Sequence, residues 1–249
     1  MKKFAFALLA MATALAIAPT VSATPAYNQP LASGVYWGTG NVNSGFTTST
    51  STLSTDGSIL QLGLEAIIRY QGPVTPTTND YLVPTGVGST GDALWDFAFS
   101  VNTGTGTLNE YTYSLSIEDD TTNVIIAFSP TLLPDNAQVG AAGCPNNHAG
   151  CTYNGANDGM QNAENLGFSF LSGPLLFNPN AADTYTITLA ANPVNGLNTD
   201  PSVSINVVAG TAATPEPSSL LLLGTGLLGL AFVAFRKAKP ARSAMKLSL

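Results

Sequence analysis

Apolar and polar side chains alternate at every second residue through much of the chain between Leu60 and Val207, and that period admits β-strands and little else. Leu60, Leu62, Leu64, Ala66, Ile68 and Tyr70 fall on one face, with Gln61, Glu65 and Arg69 opposite. Ala93, Trp95, Phe97, Phe99 and Val101 alternate against Asp92, Asp96 and Ser100, while Tyr111, Tyr113, Leu115 and Ile117 alternate with Thr112, Ser114, Ser116 and Glu118. Residues 124–128, 166–170, 185–189 and 203–207 predict four more strands. Turn signals punctuate them at Asp56-Gly57, Asn102 to Gly106, Asp119-Asp120, Asn157-Asp158-Gly159 and Asn195-Gly196. Seven half-buried strands at this spacing predict an all-β fold, an antiparallel β-sandwich of Ig-like or jelly-roll-like kind, as one exported domain over residues 24–212. The helical 3.6-residue repeat runs long only in the two end segments, which argues against a parallel α/β architecture. About 190 residues bury a sizeable core without needing a cofactor.

Charge is distributed just as unevenly. Seven of the eight basic residues lie at the ends, and between Thr24 and Thr214 Arg69 alone faces fourteen acidic residues, a net charge of −13. Nucleic-acid binding is excluded, because it depends on Lys and Arg displacing counterions from phosphate. Charged residues make up 9% of the chain, against about 25% in ordinary globular domains, which argues against charge-driven disorder.

Both ends carry addresses. Lys2 and Lys3, an apolar stretch from Phe4 to Ala18, and Val21-Ser22-Ala23 form a secretory signal peptide over residues 1–23, cleaved between Ala23 and Thr24 after passage through the Sec translocon. An uncleaved anchor is disfavoured, since fifteen apolar residues fall short of the about 20 that a span needs. At the other end, residues 218–235 read SSLLLLGTGLLGLAFVAF. A helix from Leu220 to Phe235 covers about 24 Å of a hydrocarbon core near 30 Å, enough to cross once Ser219 and the flanking basic side chains help. Five basic and no acidic residues after position 235 place the tail in the cytoplasm and the acidic middle outside.

Thr214-Pro215-Glu216-Pro217 precedes that helix, and two prolines around one residue force extended, exposed backbone of the shape a processing enzyme binds. A stiff linker ahead of an anchor is the plainer alternative. Pro215-Glu216-Pro217, the apolar span 219–235 and the basic residues Arg236 and Lys237 together resemble the PEP-CTERM sorting signal of Gram-negative bacteria. The resemblance covers residues 213–249 and departs from the usual pattern only in running on to Leu249. It implies recognition by a membrane enzyme, the exosortase, that removes the tail near Pro-Glu-Pro. It further implies passage through the inner membrane and delivery to the cell surface or the extracellular polysaccharide matrix. Residues 162–170, 177–180 and 183–189 are similar, more weakly, to exported domains of PEP-CTERM proteins.

Signals for chemistry are sparse. Cys144 and Cys151 flank a Gly/Asn-rich loop and read as a disulfide in an oxidising compartment, stabilising by about 2.5 kcal/mol on the loop-entropy model. The alternative, a metal held by Cys144, His148 and Cys151, lacks a fourth ligand. His148 is the sole histidine, and neither a Gly-x-Ser-x-Gly elbow nor a His-Glu-x-x-His helix occurs. Gly86, Gly88 and Gly91 precede a strand pattern where a dinucleotide site needs a helix, and Gly224, Gly226 and Gly229 lie in the apolar span. Asp92 and Asp96, on one strand face, are spaced about 13 Å apart, too wide for a glycosidase pair. Glu118-Asp119-Asp120-Thr121 reads as a hairpin turn, and calcium held by these carboxylates with Asn157 or Asp158 is the minor alternative to no cofactor. Eight Ser or Thr between Thr47 and Thr55 suit a glycosylated stretch, an edge strand or a solvated loop. The expected function is that of a non-catalytic surface or matrix protein; the alternative is an exopolysaccharide-binding module that stacks sugars on Tyr36 and Trp37, and a polysaccharide-active enzyme has the poorest support.

Overall fold

The computed structural model describes residues 24–31, 45–52, 59–133, 137–139, 155–194, 201–210, 225–228 and 230. Twelve strands appear in chain order: β1 Ala26–Gln29, β2 Phe46–Thr52, β3 Ile59–Ile68, β4 Gly72–Pro73, β5 Asp80–Pro84, β6 Trp95–Asn102, β7 Tyr111–Asp119, β8 Val124–Phe128, β9 Ala137–Val139, β10 Gly159–Glu164, β11 Asp183–Pro193 and β12 Ser202–Gly210. One helix, α1 Ser169–Leu175, separates β10 from β11. The first sheet runs β1-β2-β3-β6-β10-β9, with β4 also on β3, and the second runs β5-β12-β11-β7-β8.

The alternation that predicts strands also decides how the sheets stack. Leu60, Leu62, Leu64 and Ala66 of β3 and Trp95, Phe97, Phe99 and Val101 of β6 share one core with Leu115 and Ile117 of β7, Ile187 and Leu189 of β11, and Ile205 and Val207 of β12. β3 faces β11 and β12 across that core. Each fully buried Leu, Ile or Phe there contributes about 1.5–3 kcal/mol. Trp95 and Tyr185, 5.9 Å apart between ring centres, join the sheets at one end, and Phe177 lies 6.3 Å from Trp95 and 5.5 Å from Tyr185. Tyr81 of β5 reaches across to the other sheet, its hydroxyl donating to the Gly45 carbonyl at 2.6 Å and lying 3.0 Å from the Thr47 hydroxyl.

Six of the seven predicted strands are strands. The expectation for residues 166–170 is corrected: Leu166 is buried, but the chain turns at Asn165 and enters α1, whose Leu171 and Leu175 are buried four residues apart. Asn165 forces the turn, because its side chain accepts from the amides of Ala93 and Gly167 and donates to the carbonyls of Ala93 and Trp95. The extended run that includes Tyr70 is also too long. β3 stops at Ile68, and Tyr70 sits in the following turn at φ +63°, 91% exposed.

Pairing is antiparallel with one exception. β5 runs parallel to β12, with Tyr81 opposite Val207 and Val83 opposite Ala209. The chain crosses from the first sheet to the second between β4 and β5 and enters beside β12 in the same direction, which corrects the wholly antiparallel expectation.

Candidate functional site

The last strand sets where the C-terminal address begins. Val203, Ile205, Val207 and Ala209 of β12 point into the core while Ser202, Ser204 and Asn206 point outward, and the strand pairs with β11 on one side and β5 on the other. At its end the Gly210 carbonyl accepts from the Thr85 amide at 3.0 Å. Four residues, Thr211 to Thr214, then lead to Pro215, and proline supplies no N–H to continue a ladder. Thr225–Leu228 and Leu230 are helical, and Leu227, Leu228 and Leu230 are between 58% and 71% exposed. Among the described residues no helix is long and apolar enough to cross a membrane.

A family model described as the PEP-CTERM protein-sorting motif matches residues 213–237. The chain carries a PEP-CTERM sorting motif. That motif marks an exported protein sorted toward the cell surface by an exosortase-type membrane enzyme, as Pro215, Glu216, Pro217, Arg236 and Lys237 imply in sequence. It covers about a tenth of the chain, and no curated protein or solved structure matches. Those five sorting residues lie outside the described residues, as do Ala23, Tyr36, Trp37, His148 and the pair Cys144 and Cys151. Thr24 is described and exposed, two residues ahead of β1.

Among the described residues, the carboxylates of Asp92 and Asp96 are already engaged. Arg69 Nη1 donates to Asp92 Oδ2 at 2.9 Å, and its Nε lies 3.6 Å from Asp96 Oδ2. The expected separation of about 13 Å fails because Asp92 lies in the turn before β6 rather than on the strand, so both carboxylates converge on one guanidinium. Hydrogen bonds from Arg69 and Thr90 hold Asp92 below the usual carboxylate range, whereas burial pushes Asp96 above it against the Asn165 amide, which donates to it at 2.6 Å. Sequence reading missed this clamp, although one basic residue among fourteen acids signals a need for partners.

The turn expected at Glu118 to Thr121 falls later, at residues 120–123, because Glu118 and Asp119 are the last residues of β7. Asp119 Oδ1 accepts from the amides of Thr121 and Thr122 at 3.0 and 2.8 Å, and Asp120 accepts from the Thr186 hydroxyl at 3.0 Å. Among the described residues no group of three His, Cys, Asp or Glu is placed to hold a metal. The Ser/Thr run forms β2 as far as Thr52: β1 covers it only opposite Phe46 to Thr48, and Thr47, Thr48 and Ser49 are buried, whereas Thr50 and Thr52 are exposed on a stretch paired with β3. Glycan attachment at Thr47, Thr48 and Ser49 is therefore excluded, and the remainder of the run from Leu53 lies outside the described residues.

One buried acid corrects the sequence reading, which puts Glu65 with Gln61 and Arg69 on the polar face of its strand. Glu65 of β3 is fully buried and neither carboxylate oxygen has a hydrogen-bond partner. A Cβ built on Gly45 would lie 3.3 Å from Glu65 Oε2 and 3.1 Å from Pro73 Cβ, so the end of β2 and β4 wall the carboxyl in. Burial pushes it up to about 9. It is therefore held as the neutral acid at pH 7, and burial likewise raises the neighbouring Tyr81 phenol.

Proposed function

We propose that the chain is a non-catalytic surface or matrix protein. In this reading the signal peptide is removed between Ala23 and Thr24. The two-sheet body, one domain over residues 24–212, is then held outside the inner membrane by the span 219–235 until an exosortase releases it near Pro215-Glu216-Pro217. The observation that carries the reading is the sorting motif, which begins three residues after the last residue of a strand that belongs to the second sheet. Two others support it. Leu227, Leu228 and Leu230 are exposed, as a lipid-facing helix requires, and Asp92 and Asp96 are tied to Arg69 rather than opposed across a cleft. Intact mass and terminal sequencing of the protein from each cell fraction of its host test it. A chain from Thr24 to near Pro215 in the surface or medium fraction is the expected product. Recovery only from the inner membrane, with residues 220–249 still attached, would refute sorting by removal of the tail.

A second reading, exopolysaccharide binding, rests on one feature of the turn after β3. Tyr70 stands 91% exposed at a left-handed φ, with the Arg69 guanidinium 5.7 Å from its ring centre and the other ring face open to a sugar. Binding to a matrix glycan that is lost in Tyr70→Ala supports this reading, and binding that is unchanged in that variant removes Tyr70 from it.

A further inference from the structure

An edge strand leaves a row of backbone N–H and C=O groups unpaired, and natural sheets blunt such edges with short strands, bulges, charge or proline. Among the described residues, three of the four sheet edges are blunted. β1 has four residues and a shifted register, and β9 has three residues. β5 opens on Asp80, which accepts from Asn206, and closes on Pro84. β8 has none of these devices: its five residues are Val-Ile-Ile-Ala-Phe.

The direction of its free groups follows from β7. Asp120 donates to the Thr184 carbonyl at 3.0 Å and Val194 donates to the Glu110 carbonyl at 2.9 Å, so even-numbered residues bond toward β11. By antiparallel alternation Leu115, Ile117 and Asp119 bond toward β8, where they pair with Phe128, Ile126 and Val124. The N–H and C=O groups of Ile125 and Ala127 therefore point out of the sheet. Both residues are exposed, Ile125 by 60%, and α1 approaches β8 without covering either.

We propose that β8 is a self-association edge, pairing antiparallel with β8 of a second copy of this chain about a two-fold axis at Ile126. In that register Ile125 stands opposite Ala127 of the other copy. Each of the two such pairs exchanges both backbone bonds, and the large isoleucine side chain covers the small alanine. A second copy offers the same two free residues at the same spacing, which makes the edge complementary to itself. Charge permits the approach although each exported segment carries −13. Among the described residues of β7 and β8 the charged side chain on that face is Glu118, opposite Ile125, and the two copies of it lie three strand spacings apart, about 14 Å, beyond a Debye length of about 8 Å. Two five-stranded sheets become one of ten.

Sedimentation velocity of the full chain in a non-ionic detergent, across a concentration series, tests the pairing. The wild type is expected to dimerise. Ile125→Lys, which puts charge on the joint, and Ala127→Pro, which deletes a donor that β7 does not use, are each expected to weaken dimerisation at least about tenfold. Far-UV circular dichroism, and the urea midpoint measured at a concentration too low for dimerisation, should stay unchanged. Should either variant fail to fold, Ile126→Cys carries the test, because the two copies of residue 126 form the non-hydrogen-bonded pair on the two-fold axis, whose Cβ atoms approach to about 4.5 Å, within disulfide reach, and should oxidise to a covalent dimer. A monomeric wild type, a dimer indifferent to these substitutions, or the absence of that covalent dimer overturns the proposal.

Discussion

Replacing Glu65 with leucine should stabilise the protein increasingly as pH rises. The carboxyl has an ordinary value of 4.5 in the unfolded chain and is pushed to about 9 in the folded one by burial alone. Between those values the native state keeps a proton that the unfolded chain has released, so this group makes stability fall as pH rises, by about 1.4 kcal/mol per unit. From pH 5 to pH 8 that amounts to about 4 kcal/mol, and below 4.5 the effect vanishes because both states are protonated. Leucine removes the ionisation and fills a site walled by Gly45 and Pro73 with an apolar group. Urea unfolding of wild type and Glu65→Leu at the two pH values isolates the difference, since every other titrating group is common to both. The gap should widen in favour of leucine by about 4 kcal/mol. Glu65→Gln, equally free of titration, should show the same pH trend with a smaller absolute gain, its amide still unpaired. A gap that does not change with pH would refute the reasoning, because it would mean that the carboxylate is ionised in the fold.

Three further outcomes follow from the same structure. Asn165→Ala should cost about 3 kcal/mol in urea unfolding, because it leaves the buried Ala93 amide and Trp95 carbonyl without partners. Arg69→Met should cost about 2 kcal/mol at neutral pH, the value discounted for a clamp about one fifth exposed. Arg69 lowers Asp92, so that part of the cost should shrink as pH falls through the carboxylate range, which acid titration of the unfolding midpoint checks. Gly104→Ala should lose about 1–2 kcal/mol, read as a lowered melting temperature, because φ is +65° and the new Cβ would meet the Ile59 carbonyl at 2.9 Å.

Strands with one face in the core announce themselves. β3, β6, β7, β8, β11 and β12 are legible because apolar side chains must recur every second residue there. β2 and β10 are hidden for the opposite reason. Thr47, Thr48 and Ser49 of β2 and Gln161 and Asn162 of β10 are buried while polar, so neither face carries the pattern. The end of β10 misleads because Leu166, Phe168 and Phe170 imitate a strand, while Asn165 has already spent the local backbone groups on a turn. The sorting tail is readable because it is a linear signal, proline pair, apolar run and basic end in order. Neither the Arg69 clamp nor the walled-in Glu65 is linear: each is created by register across strands and by turns that bring residues 69, 92, 96 and 165, or 45, 65 and 73, together.

The position of β12 also has a mechanical meaning. Residue 211 follows directly on a strand flanked by β11 and β5, so in the proposed anchored state a pull on the chain beyond Gly210 loads both ladders at once. Bonds strained together in shear give way only as a group, whereas a strand on the rim would peel off one bond at a time. Under the proposed function, thermal buffeting of the bilayer, or the tug of the processing enzyme on residues 215–217, would meet the stiffest direction of the second sheet. On that reading the body stays folded while its leash is held and cut.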